Sequence, residues 1–164
     1  NTLRNDDPLL TTRSKKYPEP LRVVFTKSLN LPLKRKLWDC NIAKTLVVYD
    51  ESSADEKFLK MLPKCVEIAK LPSDNPKLLA QLLAKRGCNK ILWESGPSLS
   101  TAAIQNGCIQ ETLTFIAPKI IGGINSMSPL ADFNFENMSE VYKFSKGKIK
   151  LLDGDILIKN KMIT

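Results

Sequence analysis

The chain contains no histidine. Histidine-based general base catalysis, Ser-His-Asp hydrolysis and histidine-ligated metal sites are therefore excluded within it. Aromatic residues make up only 7% of the sequence and do not interleave any basic stripe, which speaks against a nucleic-acid-binding face. No apolar run approaches the roughly 18 residues needed to cross a bilayer, and no basic, apolar, small-residue leader opens the chain. A secreted or membrane protein is not expected. Cys40, Cys65, Cys88 and Cys108 include no C-x-x-C pair, which argues against a zinc ribbon and a redox dithiol. They read as reduced thiols in a reducing, cytoplasmic compartment. There is no internal repeat, low-complexity tract or convincing linker, so one domain is expected. The chain opens at Asn1-Thr2 without an initiator Met and is expected to be a fragment.

What is present fits a soluble enzyme or binding domain. The 164 residues suit a single core, and 43% hydrophobic with 26% charged residues is an ordinary globular balance. A net charge of +8 points to an anionic partner. Nucleic acid is one candidate, and a phosphorylated small molecule with a phosphorylated cofactor is another. The charges are spread over Lys15-Lys16, Lys34-Arg35-Lys36, Lys85-Arg86 and residues 146–150, which also fits a lysine-rich solvated surface.

Residues 1–20 hold turn formers and the pair Asp6-Asp7, and read as a loop or extended entry segment rather than a helix. RVVFT at 22–26, TLVVY at 45–49 and CVEIAKL at 65–71 read as strands, with a short helix over 55–62 ended by Pro63. Asn75 as N-cap, Pro76 in the first turn, leucines at 78, 79, 82 and 83 and the stop Gly87 predict a helix. KILW at 90–93 reads as a strand, followed by a helix over 98–106 and a strand over 111–117. That order predicts a parallel pair with a right-handed crossover. Residues 148–152 and 155–159, joined through Asp153-Gly154, predict an antiparallel hairpin.

Three segments carry candidate chemistry. In Glu94-Ser95-Gly96-Pro97-Ser98 a strand hands over to a helix, whose first N–H groups attract phosphate. Gly96 allows close approach, Ser98 adds a hydroxyl, and Glu94 stands at a strand end where ligand contacts gather. A plain serine-capped connection is the alternative. Asp6-Asp7-Pro8 and Thr11-Thr12-Arg13 place carboxylates, hydroxyls and a guanidinium in one loop, suited to sugar hydroxyls and to a phosphate, or else to an acidic turn with a surface arginine. Lys119, before Gly122-Gly123, meets a phosphate or faces water.

Taken in order, Thr2, Asp6-Asp7-Pro8-Leu9-Leu10-Thr11-Thr12-Arg13, Pro20-Leu21-Arg22-Val23-Val24, Leu92-Trp93-Glu94-Ser95-Gly96-Pro97-Ser98-Leu99 and Gln110-Glu111 through Ile116-Ala117-Pro118-Lys119-Ile120-Ile121-Gly122-Gly123 resemble the reductase domain of RibD-type riboflavin biosynthesis proteins. The resemblance implies an α/β, dihydrofolate-reductase-like mixed sheet, with a parallel centre, a C-terminal antiparallel hairpin and helices on both faces. It implies NADPH-dependent reduction of the ribosyl group of 5-amino-6-(5-phosphoribosylamino)uracil to the ribityl form. By similarity, Gly96, Pro97, Ser98, Leu99, Ser100, Thr101 and Ala102 line the NADPH phosphates, with Thr2 and Asp6 also against the cofactor. Leu10, Arg13 and Glu94 contact the phosphorylated pyrimidine, Arg13 near its phosphate. No catalytic side chain is assigned, no metal is implied, and neither nucleic acid nor membrane is an expected partner; a homodimer is.

Such a cofactor supplies the hard chemistry, which fits a chain without histidine. Three departures from the family pattern stand out. Ile109-Gln110-Glu111 replaces its V-D-E, and Glu94-Ser95-Gly96-Pro97 its E-G-G-P. Its K-x-A-x-S-L-D-G-like motif has no counterpart upstream, and Lys27-Ser28-Leu29-Asn30 only mimics part of it. Residues 1–164 are thus expected to be one reductase domain lacking its N-terminal strand and helix. The alternatives are a reductase of the same fold acting on another pteridine or pyrimidine, and a non-catalytic nucleotide- or nucleic-acid-binding module.

Overall fold

Residues Thr45–Asp50 read TLVVYD, and all six are buried in the computed structural model, which describes residues 2–123 and 128–163. A strand covered on both faces is apolar throughout rather than alternating, and belongs inside a parallel sheet. In chain order the elements are α1 (Thr2–Asn5), β1 (Arg22–Thr26), β2 (Thr45–Asp50), β3 (Glu67–Leu71), α2 (Pro76–Lys85), α3 (Pro97–Gln105), β4 (Glu111–Ile116), β5 (Lys148–Leu152) and β6 (Asp155–Lys161), with 3-10 turns at Lys36–Trp38 and Glu56–Met61. They fall into two compact units, Asn1–Ser95 and Gly96–Thr164.

In the first unit β2 lies between β1 and β3, all parallel, with Val24 beside Val47 and Val48 beside Ala69. On one face Val24, Val47 and Tyr49 pack with Leu37, Trp38, Phe58 and Leu62, supplied by the 3-10 turns and the residue after the second. On the other, Leu46, Val48 and Leu71 pack with Leu79 and Leu83 of α2. Burying each of these leucines contributes about 1.5–3 kcal/mol. The α2 start is as its sequence predicts: the Asn75 side chain accepts the Lys77 N–H at 2.8 Å, and Pro76 opens the helix.

The second unit holds α3 and an antiparallel sheet in the order β4-β6-β5. The β5–β6 turn places Asp153 at φ 47° and Gly154 at φ 96°, the two left-handed positions of the tightest hairpin turns. Phe133 and Phe135 stack at 5.1 Å, with Tyr142 edge-on to both. The expected α/β fold, with its parallel part and C-terminal hairpin, is borne out; the parallel and antiparallel strands form two three-stranded sheets.

Four expectations need correction. Within residues 1–20, where no helix was expected, Thr2–Asn5 forms a single helical turn (Asn1 lies outside the described residues). Its reason is tertiary, since Arg35 donates to the Leu3 and Arg4 carbonyls at its end. Residues 90–93 form no strand: Ile91 and Trp93 turn inward onto the α2 side while Leu92 stays exposed, so the chain alternates as an extended segment does, but no strand among the described residues hydrogen-bonds to it. The parallel pair expected between 90–93 and 111–117 is consequently absent, and β4 pairs antiparallel with β6. Finally, Cys40 and Cys65 are joined in a disulfide rather than reduced, with Cα atoms 6.2 Å apart, while Cys88 and Cys108 are free. Folding brings the end of the first 3-10 turn against the entry to β3, within bridging reach.

Candidate functional site

The loop after α1 is held in an uncommon shape. Asp7, Leu10 and Arg13 all have positive φ, at 41°, 49° and 51°. Left-handed backbone costs a non-glycine residue on the order of 1 kcal/mol and persists where the surroundings impose it. Here several contacts do so. The Asp6 N–H donates to Thr2 O at 2.9 Å, closing α1. Asp7 Oδ1 accepts the Lys36 N–H at 2.9 Å, while Arg35 Nε and Nη2 donate to Leu3 O at 2.8 Å and Arg4 O at 3.0 Å. Leu10 packs against the cluster around Val47 and Trp38. Beyond it, Thr12 N–H and Oγ1 donate to the two Glu19 carboxylate oxygens at 2.9 and 3.0 Å. Asp6 and Arg13 are exposed, and Thr2 is half-buried.

Beneath this loop lies Arg22, only 1% exposed. Its guanidinium donates to the carbonyls of Leu37 at 3.0 Å, Asp39 at 2.8 Å and Ala43 at 2.7 Å, and more distantly to Leu9 at 3.5 Å. Loss of water pushes its pKa down, against the attraction of Asp39 and Glu19. Its Nε finds no acceptor among the described residues. A buried cation surrounded by carbonyls fixes the backbone of residues 37–43, directly after Arg35 and Lys36, whose bonds reach the loop.

The second unit opens with a different feature. Gly96 caps α3 at φ −70° and ψ 173°, with no side-chain cap bond and no acidic residue in the first turn. Pro97 has no N–H, and Ser100 N–H closes the ladder on Gly96 O at 3.1 Å. The N–H groups of Ser98 and Leu99 thus precede the helical hydrogen bonds and form the positive end of the helix. A Cβ at Gly96 would meet nothing within 4 Å beyond its chain neighbours, so the space beside the turn is open. An anionic group fits here by charge and by room.

The expected site residues fall into two sets. Thr2, Asp6, Leu10 and Arg13 share the N-terminal loop. Gly96, Pro97, Ser98, Leu99, Ser100, Thr101 and Ala102 form the α3 start, Ser98 exposed and Thr101 buried. Thr101 Oγ1 is already engaged, accepting the Ala131 N–H at 2.9 Å and donating to Ala131 O at 3.4 Å. Glu94 is exposed, two residues before Gly96, and follows an extended segment rather than a strand. Lys119 is exposed. Sequence reading missed Arg22, Arg35 and the Asp7 carboxylate as organisers of the loop; an arginine heading the apolar run RVVFT was the one available signal. Among the described residues no group of histidine, cysteine, aspartate or glutamate could hold a metal, and no helix is long and apolar enough to cross a membrane.

The sequence matches the RibD C-terminal domain family over residues 1–158. The chain belongs to that family. It is 40% identical over 141 residues to the riboflavin biosynthesis protein RibD of Synechocystis, covering 85% of this chain and 38% of that protein. It is 24% identical over 167 residues to the 2,5-diamino-6-ribosylamino-4(3H)-pyrimidinone 5′-phosphate reductase of Aquifex aeolicus, covering 96% of this chain and 74% of that protein. In fold it resembles Acinetobacter baumannii RibD, with a TM-score of 0.80 at 24% identity over 99% of this chain and 45% of that one. The chain therefore spans less than half the length of the RibD proteins it matches.

Proposed function

We propose that this RibD C-terminal domain binds NADPH at the Gly96 turn and reduces the ribosyl group of a phosphorylated ribosylaminopyrimidine to ribityl. The observation that carries the reading is the α3 start, where a helix N-terminus with no side-chain cap and no acidic residue in its first turn opens onto free space at Gly96. The residues from Gly96 to Ala102 would hold the cofactor phosphates, Thr101 by its place in the helix since its hydroxyl is bound to Ala131. Thr2 and Asp6 would lie against the cofactor, and Leu10, Arg13 and Glu94 against the pyrimidine substrate, with Arg13 on its phosphate.

Opening the ribose ring to ribityl adds a hydride to C1′ and a proton to the ring oxygen as its bond to C1′ breaks. NADPH, when bound, supplies the hydride. The chain binds both partners, orients them and excludes water. In this reading the working unit is a homodimer, which sedimentation equilibrium tests.

Two pyrimidines fit the class: the uracil implied by the sequence resemblance, and the diaminopyrimidinone in the name of the Aquifex aeolicus relative. The intact protein should oxidise NADPH with one of these phosphorylated compounds and not with its dephosphorylated form. NADPH oxidation that is indifferent to both compounds rejects the reading.

A further inference from the structure

We propose that Asp7 and Arg35 are positioning residues that clasp residues 2–13 into the shape that binds the phosphorylated pyrimidine, an inference resting on the function proposed above. The clasp is reciprocal, because each side chain binds the other segment's main chain. The Asp7 carboxylate accepts the Lys36 N–H at 2.9 Å, at the start of the 3-10 turn. The Arg35 guanidinium donates to Leu3 O at 2.8 Å and Arg4 O at 3.0 Å, spanning two carbonyls at the end of α1. Each bond is charge-assisted, and only a guanidinium fork reaches two acceptors in this way.

The anchor on the other side has supports of its own besides the loop. Residues 37–43 are held from below by buried Arg22, and Cys40 is covalently joined to Cys65. The clasp thus ties a strained segment to a fixed one. The strain lies where substrate contact is proposed, since Leu10 and Arg13 are themselves left-handed. Such backbone relaxes once the contacts that impose it are removed. The neighbouring carboxylates accordingly divide their roles: Asp6 is exposed, whereas Asp7 is committed to Lys36.

Limited tryptic digestion of the intact protein tests the clasp, because Arg13, Lys15 and Lys16 are exposed cleavage sites in the loop region. Asp7→Ala and Arg35→Met should each speed cleavage there by about tenfold, the value of one charge-assisted bond. Asp7→Asn, which keeps a side-chain oxygen acceptor, should restore most of the protection. In the reductase assay, the same two variants should raise the KM for the pyrimidine about tenfold and change kcat by less than about twofold. Unchanged cleavage in both variants overturns the inference. That arm needs no substrate, so it fails separately from the proposed activity. Faster cleavage with an unchanged KM also overturns it, as does an equal loss in Asp7→Asn and Asp7→Ala.

Discussion

Oδ1 of Asp50 accepts both the Ser52 hydroxyl at 2.7 Å and the Ser52 N–H at 2.9 Å, closing the turn at the end of β2. These bonds favour the ionised carboxylate and hold its pKa below the ordinary range, the side-chain bond most; Ser53 and Lys27 add to the effect, and burial opposes it. Glu140 is lowered in the same way, first by the Asn137 side chain and then by the Glu136 N–H.

A native pKa below the unfolded one gives stability that is complete above the unfolded value of about 4 and is lost as pH falls through the native value. Melting temperature should therefore be flat from neutral pH down to about 5 on this account and fall below about 4. Asp50→Asn should flatten part of that acid limb. A parallel acid limb in variant and parent would show that Asp50 does not contribute to it.

The open space at Gly96 separates folding from binding. A Cβ added there meets nothing within 4 Å beyond its chain neighbours, and φ −70° suits any residue, so Gly96→Val should fold normally. Its melting temperature should stay within a few degrees of the parent, while the Kd for NADPH rises at least about tenfold. Titration of nicotinamide fluorescence measures the affinity. Unchanged affinity would remove the cofactor from this turn.

The Cys40–Cys65 bridge closes a loop with a sequence separation of 25. Chain-entropy reasoning gives such a crosslink about 3 kcal/mol. A dithiol reductant, or the Cys40→Ser and Cys65→Ser pair, should lower the urea midpoint accordingly. Free-thiol titration of the unfolded protein should find two groups before reduction and four after. Four before reduction would mean the bridge does not form.

What the sequence made legible were the features governed by neighbours along the chain. RVVFT formed a strand at its expected bounds, Asn75-Pro76 started α2, and Asp153-Gly154 made the hairpin. The Gly96-Pro97-Ser98 turn was likewise found at the head of a helix. The features that escaped depend on distant partners. The α1 turn is held by Arg35, more than thirty residues away, and residues 90–93 alternate like a strand yet lack a pairing neighbour among the described residues. Cys40 and Cys65 have no spacing signature. Within the candidate site the residues proposed to face a ligand were readable as motifs, whereas Arg22, Arg35 and Asp7 act through backbone carbonyls and N–H groups, which leave no local pattern.

Arg13 offers a sharp test of the substrate loop. Lysine keeps the charge and loses the fork that matches a phosphate. Arg13→Lys should raise the KM for the phosphorylated pyrimidine by about tenfold or more and leave the NADPH Kd unaltered. Equal catalytic efficiency in variant and parent would return Arg13 to the solvated surface.

The most direct measurement of the central claim follows the hydrogen itself. The intact protein is incubated with NADPH carrying deuterium at nicotinamide C4 on either face, together with the phosphorylated ribosylaminopyrimidine, and the product is examined by mass spectrometry and NMR. The account predicts a ribitylamino product with one deuterium at C1′ from one face of the label and none from the other. A product without label from either face, or recovery of unreduced ribosyl compound, would contradict it.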